Sequence, residues 1–160
     1  MTYYIRSNMD LTLGDYVTLE VNHNEFPPYH VHYVDPYDEE SIRSAFGDMQ
    51  RLPISLPPKR RCLLHTSDYI EVPYGYIGLI AIRSTWARLG LKPPQTIADP
   101  GFRGHLTLEL FNSSEHYIKI ASGDKMFTIT YLSAMFEPMY MGRYQGQENH
   151  ITLPKALERG

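Results

Sequence analysis

Two carboxylates in this chain sit in settings suited to chemistry. Asp99 opens Asp99-Pro100-Gly101-Phe102-Arg103-Gly104, which has the composition of a tight turn. Glu109 lies in His105-Leu106-Thr107-Leu108-Glu109-Leu110-Phe111, where apolar and polar residues alternate. In a strand, Leu106, Leu108 and Leu110 take one face, while His105, Thr107, Glu109 and Phe111 take the other. Glu109 then projects from mid-strand beside an aromatic ring and an imidazole, where a carboxylate can take up and return a proton. Upstream, Ser84 and Arg88 are i and i+4 of a short helical turn that Ser84 would cap and Gly90 would end, so both point to one side. A hydroxyl, a guanidinium and the free N–H groups of a helix start converging there would suit a phosphate.

These groups need a framework. The apolar run Tyr76 to Ile82 reads as a buried strand leading into Arg83. Cys62 to Thr66, Tyr117 to Ile120 and Met126 to Tyr131 read as further strands, the last two joined by a turn at Ser122-Gly123-Asp124. Leu11 to Val21 gives two short strands broken at Gly14-Asp15. The best helix is Pro36 to Met49, with acidic residues in its first turn and an apolar stripe of Ile42, Ala45, Phe46 and Met49. Leu52 to Pro58 carries too many prolines for a helix and is an extended connector. From Gly142 onward the chain is polar without an apolar repeat, which predicts a mobile tail over about residues 142–160.

Composition narrows the function classes. At 160 residues, the chain is expected to form one domain. Its 12 prolines, 11 glycines and 13 tyrosines, between apolar runs of strand length, favour a β-rich fold with many turns. A net charge of −3 leaves no polybasic footprint for a nucleic-acid polymer, but does not exclude a nucleotide. No apolar run reaches membrane-spanning length and no signal-like segment opens the chain. The single cysteine, Cys62, precludes an internal disulfide and fits a reducing, cytoplasmic setting, as a small buried apolar residue rather than a nucleophile.

The blocks Arg83-Ser84-Thr85-Trp86-Ala87-Arg88-Leu89-Gly90, Asp99 to Gly104 and His105 to Asn112 resemble, in order, the core motifs of the dCTP deaminase branch of the dUTPase superfamily. Ser7 to Gly14 is similar to the early S-x-D-L-x-L-G strand of that family. Thr66 to Pro73 is similar to its T-x-E-x-I-x-V-P segment, and Arg143-Tyr144-Gln145-Gly146-Gln147 to its K-Y-Q-G-Q closing tail. The resemblance spans about residues 7 to 147 and is weakest over 22 to 60. It implies one dUTPase-like (β-clip) domain over residues 1–160, a distorted antiparallel β-barrel with one or two short helices, assembled as a homotrimer with sites between subunits.

The resemblance also implies roles. Glu109 aligns with the carboxylate that activates water for attack on C4 of cytosine, and Ser84 and Arg88 with residues that position it and the substrate. Arg83, Thr96, Ala98 and Phe102 become nucleotide contacts, Phe102 against the deoxyribose, and Arg143, Tyr144 and Gln147 close over the phosphates. Asp99 aligns with the aspartate that, in the dUTPase branch, activates water for attack on the α-phosphate. Deamination of dCTP is the expected reaction. Hydrolysis of dUTP to dUMP and pyrophosphate, alone or combined with deamination, is the alternative, and a non-catalytic nucleotide-binding member is a third. Where deaminases carry T-A-x-x-I-D, this chain reads Thr96-Ile97-Ala98-Asp99, a shorter loop beside the base.

Mg²⁺ would arrive with the triphosphate. His23-Asn24-Glu25 fits half of a zinc-deaminase signature, but the P-C-x-x-C half cannot exist with one cysteine, and His30-Val31-His32 reads as loop. A protein-held zinc is not expected, so any base deamination would proceed without it.

Overall fold

The computed structural model describes residues 9–21, 33–93, 96–134 and 138–158. The histidines His23, His30 and His32 and the start of the early strand motif lie outside these residues. The elements in chain order are β1 (Met9–Leu19), α1 (Glu39–Ser44), β2 (Gln50–Arg51), β3 (Ile54–Leu56), β4 (Arg61–Glu71), β5 (Tyr76–Ile82), α2 (Ser84–Arg88), β6 (Leu91–Lys92), β7 (Ile97–Ala98), β8 (Arg103–Asn112), β9 (Ile118–Ile120) and β10 (Lys125–Ser133). The main sheet runs β6-β8-β4-β1-β10-β5-β7, with β2 added against β1, and β3 pairs with β9 apart from it. Every one of these pairings is antiparallel. The expected mainly-β fold with two short helices is therefore present, as a curled half-barrel.

β8 shows the alternation that its sequence requires. Leu106, Leu108 and Leu110 are buried, while Glu109 is exposed and His105, Thr107 and Phe111 are half-buried. Burying each leucine stabilises the fold by roughly 1.5–3 kcal/mol, so a one-residue slip would lose several leucines at once and is excluded. The leucines join a core with Leu11, Leu13, Leu64, Phe127 and Ile129. β5, expected to be buried, alternates as well: Gly78 and Ile80 are buried while Leu79 is 42% exposed.

The break expected at Gly14-Asp15 is instead a bend within one continuous strand. The first part of β1 pairs with β10, from Met9↔Ile129 to Thr12↔Lys125, and its second part with β4, from Leu13↔Thr66 to Leu19↔Cys62. The β4 register slips between Leu13 and Val17. A slip leaves backbone groups without ladder partners, and such groups must be satisfied elsewhere. Side chains of β4 supply the bonds. Tyr16 N–H donates to His65 Nε2 at 3.2 Å; at the β1–β10 irregularity Thr12 N–H donates to Asp68 Oδ2 at 2.6 Å, and at the β4–β8 irregularity Leu106 N–H donates to Thr66 Oγ1 at 3.0 Å. The His65 ring stands where a side chain at Gly14 would go, since a Cβ there would lie 2.0 Å from its Cε1. Glycine is required at 14 by this close approach.

The helix expected over Pro36 to Met49 is shorter, Glu39–Ser44, with Asp38 capping Ser41 N–H at 2.8 Å and only Ile42 buried. The reason lies in β1's far end. Val21 N–H donates to Ala45 O and Gly47 N–H to Leu19 O, both at 2.9 Å, and Glu20 bridges Phe46. Residues 45–47 are recruited as hydrogen-bond partners of β1's end, through a single bridge at Phe46, and Met49 is left 50% exposed.

His65 is 1% exposed. Because Nε2 accepts from Tyr16 and Nδ1 lies 3.2 Å from Thr66 O, the ring is neutral with its proton on Nδ1. Burial pushes its pKa below the ordinary 6.5; the nearby His105 and His150 act in the same direction, while the Thr66 carbonyl and Asp15 oppose it. Below about 6.5 the unfolded chain binds a proton here that the folded chain resists, so this contribution to stability is whole above that pH and is lost as the pH falls toward the folded value. Urea unfolding should accordingly give a midpoint that drops between pH 7.5 and pH 5.5, with a smaller drop in His65→Gln. An equal drop in both proteins would remove His65 as the source.

Candidate active site

β8 borders a cavity of about 410 Å³, within the range of small-molecule sites, and lines it with Thr107 and Glu109 of its outer face and with Leu106 and Leu108. Both flanks of the sheet wall it, with Leu63 of β4 and Thr107 and Glu109 of β8 on one side and Ile80 of β5 and Ala98 of β7 on the other. The cavity is thus a product of the curl. Glu109 sits across from Leu63 in the β4–β8 ladder, so its position is set by a long run of paired backbone.

Asp99 and Phe102 reach the same wall from the Asp99–Gly104 turn. Phe102 N–H donates to Asp99 O at 3.0 Å, and Gly101 adopts φ +80°, closed to most side-chain-bearing residues. Gly101 N–H donates to Val72 O, and Val72 N–H to Phe102 O, each at 2.9 Å, which pins the turn to the chain just past β4. Phe102 is 4% exposed and packs edge-on against Tyr140 at 5.9 Å between ring centroids. Asp99 and Glu109 are both exposed on the cavity side, and Thr96 and Ala98 complete this part of the lining.

Residues beyond Gly142, expected as a mobile tail, are hydrogen-bonded along β8 through residue 152. Gly146 N–H donates to Arg103 O at 2.7 Å, His105 N–H to Gln147 O at 2.9 Å, and Arg103 N–H to Gln145 Oε1 at 2.7 Å. Gly104 permits this approach, because a Cβ there would lie 2.7 Å from Gln147 N. Tyr144 and Gln147 line the cavity, whereas Arg143 turns its guanidinium to Ala156 O. Gln147 Oε1 is buried without a hydrogen-bond partner, an acceptor available to a donor in the cavity.

The residues of α2 are placed differently. The helix starts one residue earlier than expected: Arg83 is the N-cap, without a side-chain cap bond, and Ser84 is the first helical residue. Arg83 is paired with Asp10 at 3.2 Å, with Lys125 3.9 Å from the same carboxylate. Ser84 and Arg88 are exposed on a helix with no buried residue, and neither lines the cavity. Within one chain, then, Glu109, Asp99, Thr96, Ala98, Phe102, Tyr144 and Gln147 come together, while Arg83, Ser84, Arg88 and Arg143 do not join them.

α2 is nevertheless tied to the end of β8. Asn112 is fully buried; its Nδ2 donates to Leu56 O, Pro57 O and His116 O at 2.8 to 3.1 Å, and its Oδ1 accepts from Ser114 N–H and Oγ–H. The adjoining Ser113 donates from both N–H and Oγ to Gly90 O, just past α2.

Among the cavity residues not singled out from sequence are Thr107, Tyr140, Thr152 and Pro154. Thr107 was within reach of the alternation rule, two residues from Glu109 on the same face. The others carry no local signal, because the fold of 138–158 is decided by contacts with β8. Cys62 is 1% exposed, and burial pushes its thiol up to about 12, which suits packing and not nucleophilic attack. Among the described residues, no three of His, Cys, Asp or Glu gather as a metal site, and no helix is long and apolar enough to cross a membrane.

Comparison with known proteins agrees with these motifs. The dCTP deaminase-like family matches residues 7–134. A dCTP deaminase of Caldivirga maquilingensis is 33% identical over 157 residues, covering 96% of this chain and 83% of that protein. One from Pyrobaculum islandicum is 36% identical over 124 residues, covering 78% and 70%, and one from Aeropyrum pernix 42% over 109 residues, covering 66% and 60%. Among solved structures, the 2'-deoxycytidine 5'-triphosphate deaminase from Agrobacterium tumefaciens superposes with a TM-score of 0.57 at 18% identity. That superposition covers 78% of this chain but only 38% of the Agrobacterium chain, and it speaks for the fold alone. With the family matched over most of its length, and with Glu109 and the Asp99–Gly104 turn on one cavity wall, the chain belongs to the dCTP deaminase-like family of the dUTPase/dCTP deaminase superfamily.

Proposed function

We propose that this chain hydrolyses the exocyclic amine of dCTP, releasing dUTP and ammonia. The observation that carries the reading is Glu109, exposed at mid-strand on a cavity whose other walls hold Phe102, Ala98 and Tyr144. Glu109 takes a proton from water as the water oxygen bonds to C4, and then delivers it to the amine as the C4–N bond breaks. Phe102 and Ala98 give a flat apolar surface for sugar or base, and Thr96 contacts the base at the shortened loop. Gln147 Oε1 supplies an acceptor for a substrate donor.

The phosphates need cations, and among the described residues of a single chain none lines the cavity wall. In the proposed homotrimer, Arg83, Ser84 and Arg88 come from a neighbouring subunit, where the hydroxyl and guanidinium of α2 hold Glu109 and the nucleotide. Arg143 exchanges its bond to Ala156 O for a phosphate, a stronger, charge-assisted partner. Mg²⁺ accompanies the triphosphate, neutralising its charge while phosphate oxygens and water hold the ion. No zinc is used, and the expected setting is the cytoplasm.

A second reaction is favoured by one observation: Asp99 shares the wall with Glu109. A water activated there would attack the α-phosphate of dUTP and release dUMP and pyrophosphate.

The two reactions separate by substitution. Glu109→Gln keeps the shape and removes the base, so ammonia release from dCTP should fall by about 10²–10⁴-fold with nucleotide binding retained. Asp99→Asn should lower any pyrophosphate release from dUTP. Full deamination by Glu109→Gln would sink the assignment.

A further inference from the structure

The segment after the Arg143–Gln147 motif borders the cavity through Thr152 and Pro154 and is fastened at both ends. At its start Ile151 is 7% exposed, and Thr152 N–H donates to Thr107 Oγ1 at 2.9 Å, on the Glu109 face of β8. At its end Leu157 N–H donates to Pro36 O at 2.7 Å, ahead of α1. Between these points it grips the motif. Lys155 N–H donates to Tyr144 Oη at 3.0 Å, Lys155 Nζ donates to Arg143 O at 2.5 Å and lies 5.6 Å from the Tyr144 ring centroid, and Ala156 O receives the Arg143 guanidinium.

From this geometry we infer that residues 151–157 are a positioning strap, which forms the outer cavity wall and holds Tyr144 and Gln147 over the substrate. The inference rests on the reading of this cavity as the nucleotide site. A blocking role is disfavoured by the space that remains. With Thr152 and Pro154 in its lining, the cavity still measures about 410 Å³, so the segment bounds the space without filling it. The strap also explains how a polar stretch with few apolar residues holds one shape. Tyr144 is bound at its hydroxyl by Lys155 and at its N–H by Tyr140 Oη at 3.1 Å, so both ends of the residue are fixed before a ligand arrives. Pre-organised groups bind more tightly because the ordering cost is met in advance.

Two substitutions in the full chain test this. Thr152→Pro removes the N–H that reaches Thr107, and Lys155→Ala removes the amine that reaches Arg143 O and lies by the Tyr144 ring. With melting temperature checked for each, KM for dCTP should rise about tenfold or more while kcat changes by less than about threefold, the pattern of lost binding with the chemistry intact. Lys155→Arg should keep KM near the starting value. An unchanged KM in both variants would overturn the strap, and a lower KM would show a segment that blocks the site.

A second readout needs no nucleotide. Amide hydrogen exchange at Gly146 and His105, whose N–H groups bond Arg103 O and Gln147 O, should quicken in Thr152→Pro, and unchanged exchange would equally overturn the inference. If these amides respond while the unaltered protein releases no ammonia from dCTP, the strap stands and the proposed reaction falls.

Discussion

A strand with one buried face has no freedom over where its other face looks, and in this protein that constraint reaches from the core to the chemistry. Leu106, Leu108 and Leu110 lock β8 against Leu64, Phe127 and their neighbours, so Glu109 must point outward. The β4 ladder fixes its height along the strand. The catalytic candidate is thereby placed by hydrophobic burial, at a precision that a loop could not offer. Asp99 and Phe102 arrive by another route, a turn whose hydrogen bonds to Val72 hold it beside the same strand.

The cavity exists because the sheet curls, and the curl depends on β1 serving two partners. β1 leaves β10 for β4 at a bend where Gly14 yields its side-chain space to the His65 imidazole. β4 then repairs the disturbed ladder with His65, Thr66 and Asp68, so its polar residues are structural even where they lie near the site. Thr66 O lies 3.2 Å from Nδ1 of His65 and 3.1 Å from Nδ1 of His105, which connects the buried bend to the outer face of β8.

Much of this was legible in the sequence, and the limits have physical causes. Period-two alternation located the face of Glu109, and turn composition located the bend that carries Asp99 and Phe102, because both are local rules. Gly14 was visible as an interruption, but its partner lies some fifty residues away, and no local rule reveals that a ring fills the space of its missing side chain. The apolar spacing of Ile42, Ala45, Phe46 and Met49 favoured a long helix, yet Leu19 to Val21 offered residues 45–47 strand-like hydrogen bonds and ended it early. The polar composition past Gly142 suggested a tail without structure, whereas Gly104 opens the backbone of β8 to it. The family resemblance supplied what spacing could not, the expectation that Ser84 and Arg88 act together with Glu109.

A single chain does not unite those groups. α2 is exposed and away from the cavity wall, while Glu109 and Asp99 face a cavity without its hydroxyl and guanidinium. The central claim is that a neighbouring subunit completes the site. Subunit mixing tests this directly: Arg88→Ala and Glu109→Gln proteins, each inactive alone, are unfolded together, refolded as a mixture and assayed for ammonia release from dCTP. Recovery of activity in the mixture is expected, because some hybrid sites pair an intact Glu109 from one subunit with an intact Arg88 from another. A mixture as inactive as its two components, with hybrid assemblies shown to be present, would contradict the shared site.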